Sequence, residues 1–304
     1  MKHFFIINPA AGKKDRTEEL HSRISAACVA RGLDFEIGVS AGPGGCASLA
    51  RSAAASGQEV RLYACGGDGT LNEVVNGACG FENAAVTHVP CGSGNDFIKV
   101  FSDTAPFFDL ERFFDAEESR LDLIACTSTH SINILSFGLD AKIAADMVYF
   151  KHLPLVTGKG SYLMSIVKNL FGGLSDRYRV TLESGEVVEG DKTLVCACNA
   201  RWYGGGFCPV PEAEPDDGYM DVLLVEKVNL LQAATVIGQY QKGRYADYPQ
   251  FFRHERCREL RVECPDGAVM NADGEIHRTT EEHIHLLPQA IRFFYPKGVT
   301  YHAR

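Results

Sequence analysis

The sequence predicts a two-part α/β protein: an N-terminal domain built on a parallel sheet with helices on both faces, then an antiparallel β-domain of the sandwich type. Three observations predict it. Over about the first 120 residues, short apolar runs alternate with stretches of helical spacing. From Arg120 onward, strand-like runs follow one another, separated by glycine and proline clusters. Between the third apolar run and the helical pattern after it stands Gly66-Gly67-Asp68-Gly69-Thr70-Leu71-Asn72-Glu73.

With 304 residues the chain has room for two domains. A hydrophobic fraction of 45% and a charged fraction of 23% are ordinary for a soluble globular protein. The net charge of −9 argues against a nucleic-acid binder. No run reaches the roughly 18 apolar residues of a membrane span, and the first residues lack the apolar segment of a secretory leader. The expectation is a cytoplasmic protein whose membrane contact is peripheral and transient. Eleven cysteines, an odd number without a Cys-x-x-Cys pair, read as reduced and mostly buried thiols rather than disulfides or zinc ligands.

Lys2 to Ile7 reads as a buried strand that runs into Asn8-Pro9-Ala10-Ala11-Gly12-Lys13-Lys14. This is either a solvated basic turn or a phosphate contact; it lacks the spacing of a Walker A loop. Residues 16–31 have helical spacing, stopped by Gly32 as a C′ glycine stops a helix. Phe35–Val39 is a second strand, followed by Ser40 and a glycine-rich turn, then an alanine-rich helix over about 46–55. Arg61–Cys65 is the third strand and leads into the Gly66–Glu73 stretch. Glycines there serve positive φ or a close backbone approach. Thr70 and Glu73 have the spacing of a capping box, so Thr70 is the predicted N-cap. A helix N-terminus behind a glycine turn suits an anion, and Asp68 within it calls for a cation between carboxylate and phosphate. Ala85–Val89 is a fourth strand, followed by Gly92-Ser93-Gly94-Asn95-Asp96-Phe97. Loops at the carboxyl ends of parallel strands are where such sheets bind ligands.

In the second part, strand-like runs occur at 121–126, 131–137, 178–183, 193–199, 219–225, 257–264, 281–288 and 290–296. A helical excursion over 139–173 interrupts them, rich in apolar residues and flanked by Lys142, Lys151, Lys159 and Lys168. It is either a set of core-facing helices or the wall of an apolar substrate groove, or a surface for anionic membrane. The acidic loop Glu212–Asp221 is a turn or a cation loop, and Asp273-Gly274-Glu275 is a hairpin turn or a pair of working carboxylates. His283 and His285 share one strand face without the spacing of a metal site.

Gly66-Gly67-Asp68-Gly69-Thr70-Leu71-Asn72-Glu73, with Asn8-Pro9, Gly12-Lys13 and Gly92–Phe97, resembles the diacylglycerol-kinase catalytic domain of lipid kinases, in particular the soluble bacterial group. The resemblance continues through Gly204-Gly205-Gly206, Asp217–Val222, Asp273-Gly274-Glu275 and Tyr295-Pro296, and so covers nearly the whole chain in order. It implies a three-layer N-terminal α/β domain (1–125, with 292–304 returning to it) that binds ATP, a β-sandwich acceptor domain (126–291), and an active site in the cleft between them. It implies ATP contacts from Asn8, Lys13, Ser40, Gly66, Gly67, Asp68, Gly69, Thr70, Asn72, Glu73, Gly92, Ser93 and Asn95. Asp68 would help hold Mg²⁺. Glu275 would be the general base for a lipid hydroxyl, assisted by Asp273, with one carboxyl pKa raised by crowding. Asp217, with the backbone carbonyls of Glu214 and Tyr219, would form a second cation site. Ser40 and Ser93 stand where the family commonly has threonine.

The reading is thus an Mg²⁺- and ATP-dependent kinase for diacylglycerol or a related lipid, monomeric or homodimeric. Its rivals are a kinase for a sphingoid, ceramide or NAD acceptor, and a non-catalytic nucleotide-binding regulator. The apolar 139–173 excursion favours a lipid over NAD. The retained Asp68, Asp273 and Glu275 favour an enzyme.

Overall fold

The computed structural model describes residues 1–150, 164–165, 168–169 and 173–300. The chain divides into two compact units. The first comprises Met1–Leu123, Trp202–Gly205 and Pro288–Arg304, and the second Ile124–Arg201 and Gly206–Leu287. Trp202–Gly205 therefore belongs to the first unit, outside the 1–125 and 292–304 boundaries drawn from sequence.

The first unit follows the alternation read from sequence: β1 (Lys2–Ile7), α1 (Thr17–Arg31), β2 (Phe35–Val39), α2 (Gly45–Ala54), β3 (Val60–Gly66), α3 (Asp68–Ala78) and β4 (Ala84–Pro90). Short 3-10 turns over 97–113 lead to β5 (Glu117–Ala125). The sheet order is β4-β3-β1-β2, all parallel. Beyond β4 lies the end of β13 (Glu275–Tyr295), also parallel, with Arg292 opposite Ala85. A sheet covered on both faces needs strands that are apolar throughout. β1 and β3 meet that need, with Phe5, Ile6, Ile7, Leu62, Tyr63, Ala64 and Cys65 all fully buried. Phe5 stacks on Tyr63 at 4.0 Å, and Tyr63 meets the edge of Phe294 at 5.0 Å. The buried Tyr63 hydroxyl lies 2.7 Å from His3 Nδ1. Burial lowers the His3 pKa to about 4, so the ring is neutral. Gly32 ends α1 in the left-handed conformation, φ 62°. Arg292 Nη1 donates to the Glu82 carbonyl at 2.8 Å, and the same guanidinium pairs with Glu59 and Glu118, fixing the last strand to the edge of the sheet.

The second unit contains β6 (His130–Ser131), β7 (Ile134–Gly138), α4 (Leu139–Phe150), β8 (Asp176–Leu182), β9 (Val187–Cys198), β10 (Met220–Glu226), α5 (Leu230–Gln241), β11 (Phe252–Cys257) and β12 (Glu259–Ala272). The order is β11-β10-β9-β7-β12-β13, with β8 paired to both β9 and β12. The long strands β9 and β12 change partners along their length. Each pairs with β8 at its start and with β7 at its end, so β7, β9, β8 and β12 form a closed circuit of antiparallel pairings. Inside lies a core of alternating residues that includes Phe137, Tyr178, Val180, Val195, Val222, Val262, Met270 and Ile284.

The separate runs expected at 281–288 and 290–296 are one strand, β13, which carries Gln289 at φ 50°. Of the 139–173 excursion, α4 is described together with residues 164–165 and 168–169; the rest of that expectation lies outside the described residues. Two of its lysines are ion-paired, Lys142 with Asp176 at 2.7 Å and Lys168 with Asp146 at 2.6 Å. Helix α5 was not foreseen from sequence. It opens with a capping box: Asn229 Oδ1 accepts from the Gln232 N–H, and Gln232 Oε1 from the Asn229 N–H, both at 3.0 Å. Among the described residues no helix is long and apolar enough to cross a membrane.

Asn229→Ala removes one half of this box. It should lower the stability measured by denaturant unfolding by about 1 kcal/mol, and Asn229→Ser by a few tenths at most.

Candidate active site

Four loops at the carboxyl ends of β1–β4 are tied together in the first unit, and α3 is the hub. Its N-cap is Gly67, extended at φ −98° and ψ −169°. The predicted Thr70 cap does not form, because the helix already starts at Asp68. Thr70 sits inside the first turn, where its Oγ1 accepts from Asn8 Nδ2 at 2.9 Å and so joins the β1 loop to the β3 loop. Glu73 does not complete a capping box either. Its Oε2 accepts the Cys46 N–H at 3.0 Å, at the start of α2. Asn8 Oδ1 also receives the Ala10 N–H at 3.0 Å, and Asn72 is fully buried.

Asp68 makes the connection to the β4 loop. Its Oδ1 accepts the N–H groups of Asp96 at 2.6 Å and of Phe97 at 3.2 Å. None of Gly66, Gly67 and Gly69 has positive φ. The need for glycine here is close approach: a Cβ on Gly92 would stand 2.6 Å from the Gly67 Cα. At Gly69, by contrast, a Cβ would meet nothing within 4 Å. Asn95, in the left-handed conformation at φ 47°, holds its own loop by bonds of 3.1 Å to the N–H and carbonyl of Gly92. Beneath the turn, burial pushes His88 below its usual pKa, and its Nε2–H donates to the Gly66 carbonyl at 3.0 Å.

Ser40 is buried and engaged with its own turn, donating to the Gly42 carbonyl at 2.9 Å. Ser93 and Lys13 are exposed. Sequence reasoning missed Asp96 as a site residue. This buried carboxylate pairs with Lys99 and accepts the Gly205 N–H at 2.6 Å, so it receives the Trp202–Gly205 segment. Lys99 Nζ in turn lies 5.8 Å from the centre of the Trp202 ring. The signal was Asp96 itself, a second carboxylate in a glycine loop.

In the second unit, Asp273 occupies a left-handed turn at φ 48°. Its carboxylate accepts three backbone N–H groups, from Ile132 at 2.7 Å, Asn133 at 3.1 Å and Ile134 at 2.9 Å. The Asp273 N–H returns a bond to the Ile134 carbonyl at 3.2 Å. Burial raises the Asp273 pKa to about 6, against the pull of those donors. The cause is desolvation, not the crowding of carboxylates expected from sequence. Glu275 begins β13 with its side chain 42% exposed and its Oε2 3.8 Å from His277 Nε2. Ser128 Oγ lies 3.3 Å from His277 Nδ1.

The residues proposed for a second cation are engaged otherwise. Asp217 Oδ1 accepts the Tyr219 N–H at 3.0 Å, and Oδ2 takes the Arg256 guanidinium at 2.5 Å. Glu214 faces Arg201 at 3.4 Å. This donor set does not fit a divalent cation, which needs carboxylate oxygens directed at it. Among the described residues no group of three or more His, Cys, Asp or Glu could hold a metal. At Asp68 one oxygen takes the two backbone N–H groups, and a Cβ on Gly94 would meet the other, Oδ2, at 2.9 Å.

Asp273 sets a pH dependence. Its folded-state pKa of about 6 lies above the ordinary 3.8, so between the two the folded state binds the extra proton. Its contribution to stability is full below pH 4 and is lost as pH rises through 6, by about 2–3 kcal/mol. The stability difference between wild type and Asp273→Asn, measured by urea unfolding at pH 4 and pH 7, should shift by that amount in favour of the variant at pH 7.

Comparison with known proteins gives the family and the fold. The family "Diacylglycerol kinase catalytic domain" matches residues 2–127, and the family "YegS C-terminal NAD kinase beta sandwich-like domain" matches residues 133–295. A Shewanella frigidimarina protein named "Probable lipid kinase YegS-like" is 26% identical over 246 residues, covering 78% of this chain and 76% of its own. The crystal structure of a diacylglycerol kinase from Bacillus anthracis superimposes with a TM-score of 0.70 at 19% identity, covering 98% of each chain, and so shares the fold. With both domains matched in order from residue 2 to residue 295, the chain belongs to the YegS-like lipid kinase family built on a diacylglycerol kinase catalytic domain.

Proposed function

We propose that this member of the family transfers the γ-phosphate of ATP to the hydroxyl of diacylglycerol or a related lipid, with Mg²⁺ accompanying the nucleotide. The observation that carries the reading is the start of α3. The first N–H groups of a helix lack intrahelical acceptors and attract phosphate. Here that turn is fixed by Asp68, Thr70 and Glu73 to three neighbouring loops, while Gly69 leaves open space at its tip. Lys13, exposed on the β1 loop, adds a positive charge for the phosphates.

Bound Mg²⁺ would neutralise charge between Asp68 and the phosphates and on the transferring group. The chain's own residues do the rest. The α3 turn and the loops of Gly92 and Asn95 orient the nucleotide. The half-exposed Glu275 takes the proton from the lipid hydroxyl as its oxygen bonds to the γ-phosphorus and ADP departs. Asp273, held by three N–H groups, fixes the turn that presents Glu275 and does not itself move protons.

The test is phosphate transfer from labelled ATP to diacylglycerol in mixed micelles, with NAD as a competing acceptor. Labelled phosphatidic acid is the expected product. Glu275→Gln and Asp68→Asn should each reduce turnover by about 10²–10⁴-fold with unchanged Glu275→Gln melting. Turnover near wild type in both, or transfer to NAD alone, contradicts the reading.

Gly69→Ala separates binding from folding. Alanine is the better helix former by up to about 1 kcal/mol, and the site has room for a Cβ, so the melting temperature should hold or rise. ATP affinity, measured by calorimetry, should still fall about tenfold or more, because the added methyl occupies the phosphate's approach.

A further inference from the structure

The loop from Ala213 to Tyr219 brings together carboxylates and carbonyls, and arginines meet them. Asp217 Oδ2 takes Arg256 Nη2 at 2.5 Å. The same guanidinium reaches toward Asp221, with Nε 3.6 Å from Oδ1. Asp221 is 2% exposed, and its Oδ1 also lies 2.7 Å from His254 Nε2. The ladder enforces this meeting: in the β10–β11 pairing Asp221 stands directly opposite Arg256. The Arg256 guanidinium lies 4.8 Å from the centre of the Tyr219 ring and that of Arg258 4.7 Å from it. Arg258 also donates to the Gly218 carbonyl at 3.3 Å and the Tyr219 hydroxyl at 3.1 Å. At the other end of the loop, Arg201 Nε donates to the Ala213 carbonyl at 3.0 Å while Nη2 faces Glu214 at 3.4 Å.

We propose that Arg256, supported by Arg258 and Arg201, replaces a divalent cation as the charge that holds the 213–219 loop in this chain. A guanidinium is permanently charged, planar and rich in donors, so it can satisfy carboxylates and stack on Tyr219 at once. Mg²⁺ requires near-octahedral oxygen ligands at about 2.0–2.1 Å. Both Asp217 oxygens are already engaged, Oδ1 by the Tyr219 N–H and Oδ2 by Arg256, whose positive charge occupies the place a cation would take. The loop is therefore ordered by folding alone, whatever the acceptor of the kinase reaction.

The experiment is thermal melting of the full chain, without nucleotide, in EDTA and in millimolar MgCl₂. Wild type should melt at the same temperature in both. Arg256→Gln should lower the melting temperature by about 2–4 °C in EDTA. Asp217→Asn combined with Arg256→Gln should cost clearly less than the sum of the single changes, because the two act as one pair. A Mg²⁺-dependent rise in the wild-type melting temperature that Asp217→Asn abolishes overturns the proposal. So does additivity of the two substitutions. If Arg256→Gln does not fold, Arg256→Lys, which keeps the charge and loses the fork, takes its place in the same cycle. The comparison of wild type with Asp217→Asn stands by itself.

Discussion

The Asp68 carboxylate receiving the backbone N–H groups of Asp96 and Phe97 is the constraint on which the loops at the carboxyl ends of the first unit's strands depend. A charged acceptor at a helix start is stabilised by the helix dipole and by the two donors together. It converts the β3–α3 turn and the β4 loop into one rigid object. Gly67 and Gly92 pass so closely that neither could carry a side chain without moving the other. Asp96 extends the arrangement by receiving Gly205, so a segment from far along the chain is registered on the same loop.

A similar device recurs in the second unit. Asp273 takes three consecutive N–H groups, two from the linker between β6 and β7 and one from the first residue of β7, and that linker is bonded in turn to the segment after β9, where the Asn133 carbonyl accepts from Asn199 at 2.8 Å and Ala200 at 3.1 Å. In both units an acidic residue beside a glycine organises irregular backbone. Both carboxylates looked from sequence like reagents. The contacts show Asp273 holding backbone, while the Glu275 side chain is 42% exposed beside His277.

Much of this was legible in the residues. β1 and β2 have the limits their apolar runs imply, and the glycine loops fall where the strands end. The errors came where one local signal served a distant partner. Thr70 and Glu73 have capping-box spacing, but their side chains bond to Asn8 and Cys46, elements a reader of the local sequence cannot place beside them. The glycines left positive φ and close backbone approach both open, and the need is the second, with two backbones from different loops touching. Helix α5 was missed although Asn229 and Gln232 carry a genuine capping box and Gly243 follows its end. Arg256 lies in a strand of alternating charges, and only the β10–β11 register shows that it faces Asp221.

The chain passes between the two units four times, at 123/124, 201/202, 205/206 and 287/288. Neither unit is a contiguous length of sequence, so neither can be excised as a single stretch of chain with its sheet intact. The edge of β4 is covered only when Arg292 and Phe293, which follow the whole of the second unit in sequence, pair with it. Until then that edge presents open backbone groups of the kind that invite pairing with other chains. The sheet of the first unit is therefore complete only once a strand that follows the entire second unit has paired with it.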